Sequence, residues 1–154
     1  MVEIIHADTA EHYAAASSLF KEYAQWLGID LCFQHFDEEL QELPVMYGPP
    51  KGGILLSVSG EKIFGCVAVR EKGEGVAELK RMYVQPGHQG SGAGSLLLHA
   101  ALDLARKAGY RVIRLDTLSH MTPAINLYKK AGFYEIDPYY FNPEKNAVFF
   151  EKKL

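Results

Sequence analysis

The stretch Val84-Gln85-Pro86-Gly87-His88-Gln89-Gly90-Ser91-Gly92-Ala93-Gly94-Ser95 decides how this chain is read. Before it, Val76–Val84 has strand character. After it, Ser95–Ala108 is rich in Leu and Ala and closes at Gly109, so the loop joins a strand to a helix. The first amides of a helix have no intrahelical partner and stand at the positive end of its dipole, which suits an anion. Gly90, Gly92 and Gly94 remove the Cβ atoms that would hold a phosphate away from those amides. Two familiar phosphate loops fail on inspection. A Walker loop ends in Gly-Lys-Ser/Thr, whereas Gly94 is followed by Ser95 and Leu96. A dinucleotide fingerprint needs GxGxxG, and counted from Gly90 and Gly92 its last position is Ser95.

Working outward, Val2–His6 reads as a short strand, and an amphipathic helix runs from about Thr9 to Leu27, with Leu19, Tyr23 and Trp26 at helical spacing and Gly28 at its end. A second helix around Asp37–Leu43 should stop before Pro44, because proline disfavours the helical conformation of its predecessor. Gly48 to Gly53 is loop. Ile54–Val58 and Ile63–Arg70 flank a hairpin turn at Ser59 to Lys62, and Lys72 to Gly75 turns into Val76–Val84. Beyond the glycine-rich loop and its helix, Val112–Leu118 is a buried strand. Thr122-Pro123 then supplies an N-cap and a first-turn proline for a helix ending at Gly132. Tyr134–Tyr140 and Ala147–Lys152 complete the chain as strands. The order is β-α-α-β-β-β-α-β-α-β-β, which predicts a mixed, mostly antiparallel α/β sheet with helices on both faces.

A chain of 154 residues suits one domain, and 48% hydrophobic with 23% charged residues is ordinary globular composition. A net charge of -3 argues against general nucleic-acid binding. Cys32 and Cys66 have neither CxxC nor metal-ligand spacing, which predicts small buried thiols and no metal. No apolar run approaches membrane-spanning length and no leader pattern opens the chain, so a cytoplasmic protein without membrane partners is expected.

Gln89-Gly90-Ser91-Gly92-Ala93-Gly94 resembles the Gln/Arg-x-x-Gly-x-Gly/Ala signature of the GNAT superfamily of N-acetyltransferases. Leu79 to Pro86 is similar to that family's strand before the loop, and Asn126 to Phe133 to its late helix and turn; together they cover about residues 76–133. The resemblance implies a GNAT-like fold and acetyl-CoA as cosubstrate. It places Met82, Tyr83 and Val84 beside the cofactor, with backbone groups of Met82 and Val84 offered to pantetheine. It also implies that Gln89, Gly90, Ser91, Gly92, Ala93, Gly94 and Ser95 cradle the pyrophosphate.

Transfer needs a neutral amine, a polarised thioester carbonyl and a proton for the departing thiolate. Tyr128 matches the family tyrosine that faces the coenzyme A sulfur, and the resemblance makes it the proton donor; a core tyrosine on the same helix face as Ala124 and Ala131 is the other reading. Glu78 stands eleven residues before Gln89, where the histone-acetyltransferase branch places a general base. A carboxylate within a central strand needs water or a partner, so an ion pair with Lys80 or Arg81 is the alternative. Many relatives carry Asn seven residues before the tyrosine, whereas this chain has Met121, with His120 beside it. His88 in the loop would add positive charge at low pH.

Between Glu22 and Pro50 there is no Lys or Arg, while Glu22, Asp30, Asp37, Glu38, Glu39 and Glu42 are acidic. An acidic lip over the acceptor cleft would attract a cationic amine, either a small molecule or a lysine side chain; the plainer reading is a solvated helix face. Phe33, Phe36, Tyr139 and Tyr140 are candidates for an aromatic wall or for core. A coenzyme A sensor without turnover and a transferase of longer acyl groups remain alternatives, and a homodimer is left open.

Overall fold

The computed structural model describes residues 1–28, 31 and 35–154; Asp30, Cys32 and Phe33, named above, lie outside the described residues. Strand β1 (Glu3–His6) leads into helix α1 (Ala10–Leu27) and two short helices, α2 (Phe36–Gln41) and α3 (Leu43–Met46). Strands β2 (Gly53–Ser59), β3 (Lys62–Gly73) and β4 (Val76–Val84) follow, then α4 (Ala93–Lys107), β5 (Val112–Leu118), α5 (Thr122–Lys130), β6 (Tyr134–Ile136) and β7 (Ala147–Lys153). The seven strands form one sheet in the order β1-β2-β3-β4-β5-β7-β6. Every neighbouring pair is antiparallel except β4 and β5.

Local chemistry sets the elements. The Thr9 hydroxyl accepts a hydrogen bond from the His12 amide at 3.1 Å and starts α1. Gly28, in the left-handed conformation at φ 71°, ends it. Alternation in the strands then divides the molecule into two cores. Leu55, Val67, Leu79, Ile113 and Leu115 pack against Leu97, Leu98, Ala101 and Ala105 of α4. On the opposite face Ile54, Leu56, Cys66 and Ala68 pack against Ala16, Leu19 and Phe20 of α1, with Leu43 and Tyr47. Each fully buried large apolar side chain contributes roughly 1.5–3 kcal/mol.

Four boundaries differ from the sequence reading. The second helix stops before Pro44 as expected, but already at Gln41, and Pro44 sits in the first turn of a further short helix, α3, where the missing N–H costs nothing. Helix α4 begins at Ala93, two residues before the expected start, so Gly94 and Ser95 are helical. The N-cap of α5 is Met121, with Thr122 already in the helix. The strand expected over Tyr134–Tyr140 stops at Ile136. Pro138 has no amide to give a ladder, and Tyr139 and Tyr140 turn their hydroxyls onto the sheet, to Glu78 and Asp116. The segment 137–146 thus forms a strap across one sheet face.

The feature that positions the site lies in β4. Cys66 pairs with Tyr83 and Ala68 with Lys80, so Val67 alone faces two β4 residues, Arg81 and Met82. This is a β-bulge, and Arg81 adopts φ 59° to make it. On its other edge β4 pairs with β5 only from Val76↔Val112 to Glu78↔Arg114. From Leu79 to Val84 the two parallel strands diverge, leaving the outer edge of β4 without a strand partner.

Candidate active site

The gap between the diverging strands is filled at its base and open at its top. The open part is a cleft of about 470 Å³ walled by Met82, Tyr83 and Val84 of β4, by His88, Gln89 and Gly90 of the loop, and by Ala93 and Gly94 of α4. Its far side is Pro123, Ala124 and Leu127 of α5, with His120 and Met121, and Trp26 of α1 overlooks it. A narrower cavity of about 50 Å³ lies deeper, where Met82, Met121 and Ala124 line both spaces. Tyr23, Lys80, Arg81, Asp116, Asn142 and Tyr128 are among its walls.

Seven of the ten residues expected to hold the cofactor therefore line the open cleft: Met82, Tyr83, Val84, Gln89, Gly90, Ala93 and Gly94. Ser91, Gly92 and Ser95 are exposed on the rim of the same helix start. The first i→i−4 bond of α4 runs from Leu96 to the Gly92 carbonyl, so the amides of Ala93, Gly94 and Ser95 precede the intrahelical ladder. Ser91 Oγ accepts from the Ala93 amide only at 3.4 Å. A cluster of amides at a helix N-terminus, opening on a long apolar cleft, fits a pyrophosphate with an extended tail. The glycines also matter for the backbone itself. A Cβ at Gly90 or Gly92 would meet no protein atom within 4 Å, but these residues sit at φ +86° and +87°, a handedness that side chains resist.

Tyr128 is buried on α5 and its ring packs against Phe133 at 5.7 Å. It is among the residues that line the deep cavity. Burial, reinforced by Tyr23 and Asp116, raises its pKa well above the usual phenol range, so the proton stays on oxygen at neutral pH. The phenol is a donor held beside the diverging strands.

Glu78 is 1% exposed and points to the α1 face of the sheet. Its Oε1 accepts from Arg70 Nε at 2.9 Å and Nη2 at 2.8 Å, and its Oε2 from the Tyr139 hydroxyl at 2.7 Å. Lys80 Nζ is 3.9 Å away. Burial alone would raise this carboxyl, but Lys80, Arg70 and the Tyr139 hydroxyl outweigh it and hold the pKa below the usual value. Its chief partner is thus Arg70, directly opposite across the β3–β4 ladder, rather than Arg81. Arg81 instead makes a two-pronged pair with Glu39 of α2, at 2.9 and 2.8 Å. Lys80 is buried beside these groups, and burial together with Arg81 lowers its pKa to about 8.

The acidic segment is only partly a lip. Glu39 is consumed by Arg81, and Glu22 accepts from Gln85 at 3.1 and 3.0 Å, leaving Asp37, Glu38 and Glu42 exposed. Tyr139 and Tyr140 pack on each other and on Phe149 under the Lys72 ammonium, and Phe36 stacks beneath Arg81. His88 stacks on Phe64 at 4.3 Å, and His120 contacts Asn146.

The acetyltransferase (GNAT) family model matches residues 10–133. The chain belongs to that family. This acyltransferase is 42% identical over 139 residues to an uncharacterised N-acetyltransferase of Schizosaccharomyces pombe, covering 88% of this chain and 85% of that one. It is 33% identical over 142 residues to an IAA acetyltransferase of Azospirillum brasilense, with 91% of each covered. Its fold superposes with TM-score 0.78 on the PaiA N-acetyltransferase from Thermoplasma acidophilum in complex with coenzyme A, at 21% identity over 100% of this chain and 99% of that one. With a GNAT-family acetyltransferase from Staphylococcus aureus the TM-score is 0.82, at 19% identity and 99% coverage of both. Among the described residues of this acetyltransferase, no helix is long and apolar enough to cross a membrane.

Trp26, Asp116 and Asn142 were absent from the sequence-based site. Trp26 was counted on the packing face of α1, yet it is 46% exposed and leans on Tyr83 at the cleft mouth. Asp116 had a signal, a carboxylate inside an apolar strand, the same kind that drew attention to Glu78. Asn142 lies in a loop whose path no local pattern specifies.

Proposed function

We propose that this protein binds acetyl-CoA in the cleft between β4 and α5 and transfers its acetyl group to a primary amine by direct attack in a ternary complex. One observation carries this reading: the open edge of β4 and the start of α4 wall one cleft, and the narrow cavity that joins it at Met82, Met121 and Ala124 is lined by Tyr128. The amides of Ala93, Gly94 and Ser95 hold the pyrophosphate, and the exposed edge of β4 around Met82 and Val84 takes pantetheine as an added strand. The thioester supplies an activated acyl carbon. Tyr128 gives its proton to sulfur as the C–S bond breaks, a bond made chiefly in the transition state. Glu78 keeps Arg70 and Lys80 neutralised beneath the cleft, a task its two occupied oxygens suit better than proton abstraction. The exposed Asp37, Glu38 and Glu42 on α2 favour a cationic acceptor through their field.

An acceptor screen that follows free thiol tests the reading. Acetyl-CoA should release coenzyme A faster when the right amine is present, and N-acetylated product should match the thiol released. Tight binding of coenzyme A with no thiol release across polyamines, aminoglycosides and lysine peptides would favour a sensor over an enzyme.

A further inference from the structure

Two carboxylates flank the point where β4 and β5 part, and their surroundings differ. Both oxygens of Glu78 are occupied, by Arg70 and by Tyr139. Asp116, half-buried on β5, is held from one side only: the Tyr140 hydroxyl and Asn142 Nδ2, the latter at 2.9 Å, donate to the same oxygen, Oδ2. Oδ1 accepts no hydrogen bond from any described residue. Asp116 lines the same narrow cavity as Tyr128. A carboxylate fixed through one oxygen, with its second open beside a phenol donor, is arranged to receive an N–H group.

We propose that Asp116 Oδ1 is the docking point and proton acceptor for the acceptor's ammonium, which deepens, and rests on, the acetyltransferase reading. The ammonium gives its first proton to Oδ1, and the lone pair so released forms the N–C bond at the thioester carbonyl. The C–S bond then breaks and sulfur leaves with the Tyr128 proton. The second proton that nitrogen sheds on becoming an amide restores the phenol. Asp116 returns its proton to solvent, so one proton is released per turnover. A space of about 50 Å³ admits a slender head, so the acceptor class is a primary amine on an unbranched carbon. Tyr23 and the cations Lys80 and Arg81 also line this space. Glu78, 3.9 Å from Lys80, and Glu39, paired with Arg81, draw the two positive charges away from the incoming cation.

The test uses acetyl-CoA with methylammonium and ethanolammonium as probe acceptors, and hydroxylamine as a nucleophile already uncharged at neutral pH. Asp116→Asn should lower kcat/KM for the two ammonium probes by about a hundredfold while leaving hydroxylamine acetylation within a few-fold. Coenzyme A affinity and melting temperature should not change. In the wild type, independent of any variant's folding, methylammonium should shift the ¹³C carboxyl resonance of Asp116 in the coenzyme A complex. An equal deficit for all three nucleophiles, no deficit, or an unmoved resonance would overturn the assignment. So would a wild type that binds coenzyme A yet turns over neither ammonium probe. Failure to bind coenzyme A at all would instead remove the acetyltransferase reading, and this proposal with it.

Discussion

The two faces of the sheet are built on different physics. Under α4 the strands present Leu55, Val67, Leu79, Ile113 and Leu115 to an apolar helix, and stability comes from many interchangeable contacts. On the opposite face α1 covers an apolar core of its own. Beside it, under α2 and the strap, the strands present Glu78, Lys80, Arg114 and Asp116, and order there comes from a few pairs: Arg81–Glu39, Arg70–Glu78 and Arg114–Glu151. An apolar face yields gradually to substitution. A buried ion pair does not, because removing one partner strands the other without water. The cleft runs between the two, with its proton donor on the apolar side and its carboxylates on the charged side.

The largest expected effect tests the apolar side. Tyr128→Phe keeps the ring packing against Phe133 but deletes the donor, so kcat should fall by about 10²–10⁴-fold with coenzyme A affinity unchanged. Steady-state kinetics beside a binding isotherm separate the two quantities. Equal kcat, with chemistry rate-limiting, would remove the phenol from the mechanism.

Next in size comes the charged side. Glu39→Ala leaves the Arg81 guanidinium buried and unpaired and should cost about 3–5 kcal/mol in urea unfolding. Glu39→Leu combined with Arg81→Met should recover most of that loss. If the double variant is no better than the single one, the pair does more than cancel its own charges, and the contrast between the faces is sharper still.

Lys80 gives a smaller effect with a pH signature. Burial and Arg81 lower its pKa from 10.5 to about 8 against the opposing pull of Glu78 and Asp116, with Arg70 adding to the lowering. Between those values the unfolded chain binds more protons than the folded one, so this residue's contribution to stability rises with pH. The stability difference between wild type and Lys80→Met should move in the wild type's favour as pH climbs from about 8 to 10.5. Movement in the opposite direction would mean that Glu78 holds Lys80 charged.

The smallest effect separates backbone handedness from charge at the loop. Gly92→Ala should cost about 1–2 kcal/mol through its positive φ and still show stabilisation by coenzyme A. At about a hundredfold above the dissociation constant that stabilisation is roughly 2.7 kcal/mol, read as a melting shift. Gly92→Glu should suffer similar strain and lose the shift as well, because it sets a carboxylate where the amides await an anion. Equal shifts in both variants would place coenzyme A elsewhere.

Much of this molecule was legible in the sequence because local rules act within a few residues. Strand alternation, helical spacing closed by Gly28 and the glycine-rich loop pointed to the element order and the family. Positions 82–84 and 89–95, with Tyr128, could be proposed for the site because the loop, its strand and the late helix resemble a family pattern with fixed spacing along the chain. What the tertiary structure decided depends on contacts between distant segments. Glu78 became a closed ion pair because the β3–β4 register sets Arg70 opposite it, a pairing that bulges on those strands leave open in the sequence alone. Glu39 left the acidic lip because the bulge at Arg81 turned a guanidinium toward α2. Asp116 kept one open oxygen because a strap whose strand ends at Ile136 lays Tyr140 and Asn142 across the other. Periodicity tells which face of a strand a charge lies on; only the folded chain decides which partner reaches it first.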